Sequence, residues 1–349
     1  MNCGVILGGD VLMKKAIIFI LILFMMVFIA SCTKDAPKEE QKNAKIGYTP
    51  DNRDYMVPDR PRKIPVLSPP KSFISEAKYD IPADKVYYKG RAVVLTYHHI
   101  STEPFSGITI KPERFREDLK MLKDNYFNVI SFRDLTEAMD GNIKLPPNAV
   151  VITFDDGIES FYKYAFPLLK EYNMPAINFT ITSRNESYSA SKNDFNPLSP
   201  NEIREMYKSG IIDIGSHSHE GHDYTIKNEK GDKGGILAYR TYDISKGSYE
   251  TVEAYDKRVV DDLEKSRDYI KSYTDNSTDA LCFPFGHYNS NLVELSEKAG
   301  FKYFVTTVAG YNKENSKSIY IRRIRSGDAK LTPQDLKNNI ISCGKGNKS

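Results

Sequence analysis

The sequence predicts an α/β fold in which parallel strands alternate with helices. Short β-branched runs such as "AVVLTY" (92–97) and "AVVITF" (149–154) are separated by amphipathic runs. Alternation of this kind indicates parallel strands joined by crossover helices. An open doubly wound sheet and a closed barrel both satisfy the pattern. In either fold, the chemistry belongs at the carboxyl ends of the strands.

Seven runs are predicted strands: 92–97, 128–132, 149–154, 176–182, 211–216, 280–285 and 303–308. Six more are predicted helices: 111–125, 158–173, 200–209, 250–273, 290–299 and 332–342. In the first helix, Pro112 suits the N1 position, and Phe115, Leu119 and Leu122 share one face. The folded part begins near Lys89, which leaves about 250 residues for a single catalytic domain, 89–349.

The N-terminal region, residues 1–32, has the layout of an export signal. Residues 14–32, "KKAIIFILILFMMVFIASC", combine a basic start, an apolar run and small residues before a cysteine, and Met13 is the better start. The ending "IASC" resembles the lipobox of bacterial lipoproteins, which implies that Cys32 carries a membrane-anchoring lipid on the extracytoplasmic side. A single transmembrane helix is the alternative, although the run is short for a span of about 20 residues. Residues 33–88 then form a tether or irregular segment.

The charge balance excludes one class of partner. The 49 basic and 46 acidic residues give a net charge of +3, without a block of like charge in the folded part. Nucleic acid is therefore not expected as a partner. Cys282 and Cys343 are far apart in the sequence, and their spacing leaves open whether they form a disulfide.

Polar residues follow three of the predicted strands. "TFDDG" (153–157) ends one, "YHHI" (97–100) ends another, and "GSHSHEGHD" (215–223) follows a third. Asp155 and Asp156 repel each other unless a cation lies nearby, and then one can bind metal while the other acts as a base. His217 and His222 are five residues apart, and Gly221 favours a tight loop that turns both rings inward. Two histidines and one carboxylate are a familiar catalytic zinc set.

The motifs "TFDDG" and "GSHSHEGH" resemble those of the polysaccharide deacetylase family, the carbohydrate esterases of the chitooligosaccharide deacetylase type. The similarity covers roughly 91–335. Segments such as "VVLTYHHIS" (93–101) and "FPFGHYN" (283–289) resemble the branch of exported poly-β-1,6-N-acetylglucosamine deacetylases. This resemblance implies a distorted (β/α) barrel of about seven parallel strands.

The resemblance also implies roles for individual residues. Asp155 would be the general base, and the metal ligands would be Asp156, His217 and His222. The backbone N–H of Phe285 would stabilise the oxyanion. The metal is expected to be Zn²⁺, with Co²⁺, Ni²⁺ and Fe²⁺ as alternatives.

Two departures from the family pattern leave roles open. Cys282 stands where the wider family has an arginine that orients the catalytic aspartate, so Arg323 or Arg325 is expected to take that part. No histidine follows His287, although many members use a late one as general acid. His98 or His99 is the expected acid here, with His287 as the next choice.

The expected reaction is hydrolysis of N-acetyl groups from an extracytoplasmic GlcNAc-containing polysaccharide of a biofilm matrix, with release of acetate. Peptidoglycan or chitin oligomers are alternative substrates, and a non-catalytic glycan-binding lipoprotein is a further alternative. Tyrosine-containing runs at 237–249 and 288–291 are expected to grip a polymer or to pack. Residues 224–250 are long enough for a lid or a cleft wall.

Overall fold

The structure is a computed structural model that describes residues 72–74, 80–103, 106–188 and 195–346. All of these belong to the unit Ile64–Ser349. The predicted signal segment, Cys32 and most of the predicted tether lie outside the described residues. Within the described ranges, no helix is both long and apolar enough to cross a bilayer.

Parallel strands form a nearly closed barrel. The first six pair in chain order and are β1 (Arg91–Tyr97), β2 (Ala149–Phe154), β3 (Ala176–Thr180), β4 (Ile212–Ser216), β5 (Ala280–Cys282) and β6 (Tyr303–Val305). The seventh strand, β7, has two pieces: Tyr320–Ile321 pairs with β6, and Ile324–Arg325 pairs with β1. The split strand brings the two edges of the sheet together. The predicted distorted barrel of about seven parallel strands is confirmed.

Helices cover the outside of the barrel. They are α1 (Pro112–Asp124), α2 (Phe132–Met139), α3 (Phe166–Tyr172), α4 (Pro200–Lys208), α5 (Val252–Thr274), α6 (Ser290–Lys298) and α7 (Pro333–Lys345). Shorter turns are Ala83–Lys85, Phe161–Ala165, Thr182–Glu186 and Pro284–Gly286. Five of the six predicted helices match these bounds to within about three residues, the accuracy expected at helix ends. The predicted helix 158–173 corresponds to a π-helical turn, Phe161–Ala165, that continues into α3.

Further short strands pair with the barrel strands or with each other. Asn128–Val129 pairs with β2, and Tyr311–Lys313 runs antiparallel to β1. The remaining pairs are His99–Ile100 with Thr109–Ile110, Tyr224–Ile226 with Lys233–Gly235, and Tyr242–Asp243 with Ser248–Tyr249. The last two pairs form the segment that the sequence predicted as a lid or cleft wall.

Two-residue alternation along each strand sorts side chains between the barrel interior and the helices. Val94 and Val151 belong to the inner cluster, while Leu95 and Ile152 pack outward among the helices. Both sets are fully buried, as expected for a parallel sheet covered on both sides. The alternation therefore also fixes which side chains point into the barrel where the strands end.

The predicted strand 128–132 is wrong beyond Val129. Ser131 caps α2 instead: its hydroxyl accepts from Asp134 N–H, and the Asp134 carboxylate accepts from Ser131 N–H. This capping box stabilises a helix start and overrides the β-branched pattern before it. The predicted strand 280–285 likewise stops at Cys282, because Pro284 cannot donate to a ladder and Phe285 has a φ of 58°.

Residues just before β1 pack on the barrel. Tyr88 is buried, and its hydroxyl donates to the carbonyl of Ala149 at 3.0 Å. The Asn148 side chain accepts from the N–H groups of Tyr87 and Tyr88. These contacts hold the start of β1 against the start of β2.

Candidate active site

Inward-facing positions of several strands meet in one cavity at the carboxyl end of the barrel. Its volume is about 530 Å³. β1 contributes Thr96 and then His98, two residues further on, and Asp155 follows β2 with the same inward alternation. Arg323 lies between the two pieces of β7, two residues after the inward Ile321. The barrel thus places an imidazole, a carboxylate and a guanidinium side by side.

Asp155 and Arg323 form a buried two-pronged ion pair. Arg323 Nη1 donates to Asp155 Oδ1 at 2.8 Å, and Nη2 donates to Oδ2 at 2.9 Å. The same guanidinium donates to Thr153 Oγ1 and to the carbonyl of Thr306, both at 3.1 Å. Both side chains are buried, so the geometry is fixed and poorly screened by solvent.

This pair sets the charge state of the carboxylate. Burial alone would raise the pKa of Asp155, but the charge of Arg323, supported by His217 and His98, holds that pKa well below its ordinary value. Asp155 is therefore ionised at neutral pH. Arg325, the other arginine considered in the sequence, does not contact Asp155; it is exposed and pairs with Asp328 at 3.4 Å.

Cys282 completes the surroundings of the carboxylate. Its thiol lies 3.6 Å from Asp155 Oδ2 and 3.2 Å from Arg323 Nη2. Burial raises the pKa of this thiol, so it remains protonated and can donate to the carboxylate. Cys343 lies elsewhere in the core, and both cysteines are free thiols.

The two histidines after β1 have different surroundings. His98 lines the cavity, and its Nε2 lies 3.8 Å from Asp155 Oδ2. His99 is buried outside the cavity, with Nδ1 3.1 Å from Thr109 Oγ1 and its ring stacked on Phe195. Of these two histidines, only His98 can reach a substrate in the cavity. His287 has a different partner, because its Nδ1 accepts from Gly235 N–H at 3.0 Å.

Three side chains converge beside Asp155 as a candidate metal centre. Asp156 Oδ1 lies 3.6 Å from His217 Nε2 and 3.3 Å from His222 Nε2. Burial, followed by the nearby His217, lowers the pKa of His222 to about 4, so this imidazole is neutral at pH 7. Neutral imidazole and ionised carboxylate are the forms that bind metal.

The spacing of these donors fits a tetrahedral ion. Zinc–ligand bonds of about 2.0–2.1 Å place tetrahedral ligands roughly 3.3 Å apart, close to the distances between Asp156 and the two imidazoles. His217 Nδ1 donates to the carbonyl of Cys282 at 2.8 Å, which turns Nε2 toward Asp156. Such a partner on the far nitrogen is typical of metal-binding histidines. The residues present therefore fit one divalent ion with positions left for water or substrate.

The loop that carries the histidines is held by its neighbours. Asp262 on α5 accepts from the N–H groups of His219 and Glu220 at 3.0 and 2.6 Å. His219 itself turns away from the centre and contacts Thr182 Oγ1 at 2.9 Å. At Gly221, a Cβ atom would approach the side chain of Leu237 to 2.5 Å, so the close packing of this loop on 224–250 requires glycine.

Three non-glycine residues of the site have left-handed backbone conformations. They are Asp156 with φ 75°, Ser218 with φ 75° and Phe285 with φ 58°. Such conformations cost of order 1–3 kcal/mol each and are concentrated at functional sites. The Phe285 ring lies 4.3 Å from the His222 ring and 4.2 Å from that of Tyr224. Its N–H makes no hydrogen bond within the described part of the chain and remains available to a ligand.

Gly157 supports Asp156 through a close approach to β3. Its φ is +66°, and a Cβ atom would overlap Thr180 Oγ1 and lie 3.0 Å from Thr180 Cα. We expect Gly157→Ala to lower the free energy of unfolding by more than about 2 kcal/mol, measured by denaturant unfolding. Gly210→Ala is the control, since φ is +75° but the Cβ would meet open space. Equal losses in both variants would contradict the steric argument.

Sequence reasoning missed two contributors to the site. Thr153 accepts from Arg323 and donates to the carbonyl of Leu95 at 2.8 Å, and it lies two residues before Asp155 on the same inward face. Alternation along β2 was the signal that could have identified it. Cys282 was noted only because it stands where the wider family has an arginine. Its contact with Asp155 could be identified only from the three-dimensional fold.

Comparison with known proteins indicates a fold and an activity independently of the site geometry. Residues 142–304 match the family described as Polysaccharide deacetylase. The poly-beta-1,6-N-acetyl-D-glucosamine N-deacetylase of Staphylococcus aureus is 25% identical over 281 residues, which cover 76% of this chain and 89% of that protein. The protein of the same name from Escherichia coli is 25% identical over 228 residues, 62% of this chain and 34% of its own length.

Solved structures agree in fold. A de-N-acetylase from Aggregatibacter actinomycetemcomitans has a TM-score of 0.64 at 25% identity and covers 71% of this chain and 99% of its own. The BpsB deacetylase domain from Bordetella bronchiseptica has a TM-score of 0.59 at 26% identity, over 70% and 97% of the two chains. The motifs, the barrel and these relatives together identify residues 142–304 as a polysaccharide deacetylase domain, that is, a hydrolase of amide carbon–nitrogen bonds.

Proposed function

We propose that the chain is a metal-dependent deacetylase that removes N-acetyl groups from an extracytoplasmic GlcNAc polysaccharide, namely poly-β-1,6-GlcNAc. The observation that carries this proposal is the pairing of Asp155 and Arg323 beside the set Asp156, His217 and His222 in one cavity. The names of the relatives from S. aureus and E. coli support the choice of polymer.

Asp156, His217 and His222 would hold the metal. Zn²⁺ bound there would supply a Lewis acid that polarises the acetyl carbonyl and lowers the pKa of water to about 7. The family and the donor set support metal dependence.

Asp155 is proposed as the general base. It takes a proton from the attacking water while Arg323 holds both carboxylate oxygens in place. A strongly lowered pKa keeps the carboxylate ionised but makes it a weak base. It therefore takes a proton most readily from water whose pKa is lower than that of bulk water.

His98 and Phe285 complete the proposed reaction. The new carbon–oxygen bond places negative charge on the former carbonyl oxygen, and the N–H of Phe285 is proposed to donate to it. Breakage of the carbon–nitrogen bond then requires a proton on the leaving amine. His98, whose Nε2 lies 3.8 Å from Asp155, is the histidine proposed to supply it.

Export and lipid anchoring are part of the proposal. Residues 14–32 have the signal layout, and Cys32 follows the lipobox-like "IAS". A substrate that is an extracellular polymer requires an enzyme outside the cytoplasm. Radiolabelled fatty acid incorporation in a cell that expresses the full chain, lost in Cys32→Ala, would test the anchor.

Acetate release tests the activity directly. The full chain, with and without chelation and with metal re-addition, is incubated with poly-β-1,6-GlcNAc, chitin oligomers and peptidoglycan. We expect chelation to abolish acetate release from poly-β-1,6-GlcNAc and Zn²⁺ to restore it. Release from chitin oligomers or peptidoglycan alone would overturn the substrate, and full activity in chelator would overturn the metal requirement.

A further inference from the structure

A second cavity lies between the segment 224–250 and the residues that follow Phe285. Its volume is about 290 Å³, and it is lined chiefly by Lys227, Tyr239, Arg240, Tyr249, Asn289 and Asn291. We call it the side cavity. Four of these residues come from the segment 224–250, and two come from the turn and helix that follow Phe285.

One loop lines both cavities. Phe285 faces the catalytic cavity, and Asn289, four residues later, faces the side cavity. The loop is fastened to 224–250, because His287 Nδ1 accepts from Gly235 N–H and Asn289 Nδ2 donates to the carbonyl of Ala238 at 2.5 Å. The two cavities are therefore separated by four positions along one fastened loop.

The lining has the chemistry of a sugar site. Tyr239 is 38% exposed and Tyr249 is 47% exposed, so part of each aromatic ring is open to a ligand. Asn291 is exposed, and its amide carries both donor and acceptor groups. Aromatic surface with a few polar groups is the usual composition of a small-ligand pocket.

The charge of the side cavity is of one sign. Lys227 and Arg240 are its charged lining residues, and no carboxylate lines it among the described residues. Lys227 Nζ lies 5.1 Å from the Tyr239 ring centre, and Arg240 Cζ lies 5.4 Å from that of Tyr249. The nearby carboxylate of Glu250 is held by Arg258. A ligand with an ammonium group would therefore be repelled, whereas a neutral acetamide would not.

We propose that the side cavity binds a further N-acetylated hexosamine unit of the polymer being hydrolysed, and that it rejects a unit already deacetylated. This inference rests on the proposed function. Hydrolysis converts a neutral acetamide into an ammonium group, so each product unit becomes a poor occupant of the side cavity. The enzyme then leaves acetylated units between deacetylated ones instead of deacetylating every unit of the polymer.

Charge reversal at Lys227 tests this selection. Lys227→Glu should raise kcat/KM on partially deacetylated β-1,6-GlcNAc oligomers, relative to fully acetylated ones, by at least about threefold, because the repulsion becomes an attraction. The final degree of deacetylation should rise as well. Lys230→Glu is the matched control, since Lys230 belongs to the same hairpin and is exposed but does not line the cavity. Equal shifts in both variants, or none in Lys227→Glu, would overturn the proposal.

A binding measurement separates this inference from the proposed function. Titration calorimetry on Asp155→Asn, with and without Lys227→Glu, compares acetylated with deacetylated oligomers and needs no turnover. A preference for acetylated oligomers that Lys227→Glu removes would support the side cavity even where acetate release fails. Binding without any preference in an enzyme that releases acetate would overturn the side cavity and leave the deacetylase intact.

Discussion

Replacing Asp155 with asparagine should lower kcat by about a thousandfold and leave metal content unchanged. Loss of a general base typically costs 10²–10⁴-fold, and an asparagine side chain cannot take the proton of water at neutral pH. The amide oxygen still accepts from Arg323, so the barrel should stay closed. Metal content by mass spectrometry of the intact enzyme and initial rates of acetate release are the two measurements.

His222→Ala is the complementary variant. It removes an imidazole 3.3 Å from Asp156 Oδ1 and should lose both metal and activity. Activity that survives in Asp155→Asn would show that another group is the base. Loss of metal in Asp155→Asn would instead place Asp155 among the ligands.

Arg323→Met should lower the free energy of unfolding by about 3–5 kcal/mol, because it leaves a buried carboxylate without its partner. Asp155, Thr153 and the carbonyl of Thr306 would each lose a donor. Burial would then dominate and raise the pKa of Asp155. We expect the rate to fall together with stability, measured by denaturant unfolding and acetate release.

Arg325→Met provides the matched stability control. Arg325 is two residues away and exposed, and within the described residues it forms an ion pair with Asp328 at 3.4 Å. An exposed pair of this kind contributes about 0–1 kcal/mol, so unfolding should change little. A similar loss of stability in both arginine variants would show that Arg323 acts as a general part of β7 rather than as the partner of Asp155.

The fold could be predicted from the sequence wherever hydrophobic runs were long. α1 and β2 carry their periodicity in their own residues, so 111–125 and 149–154 were placed to within a residue or so. β7 could not be predicted in this way. Its pieces, Tyr320–Ile321 and Ile324–Arg325, are two residues each. The strands with which they pair are determined only when the barrel closes.

Local sequence also left the choice between adjacent residues open. His98 and His99 are equivalent in composition, and only the alternation established along β1 assigns His98 to the cavity. Arg323 and Arg325 differ in a further way, because Arg323 lies in the break of β7, whereas Arg325 belongs to its second piece. In each pair, the residue that faces the cavity can be identified only when the residue at which the strand ends is known.

The aspartate–arginine pair joins residues 168 positions apart, and the arginine lies between the two pieces of β7, the strand that closes the barrel. Contacts of such long sequence separation form late, because loop-closure entropy opposes them until much of the structure is in place. An intermediate with β1 to β6 paired but β7 undocked would hold all three metal-binding side chains yet leave Asp155 without its guanidinium. During refolding, hydrolytic competence should therefore appear in the slowest phase, after most of the secondary structure has formed.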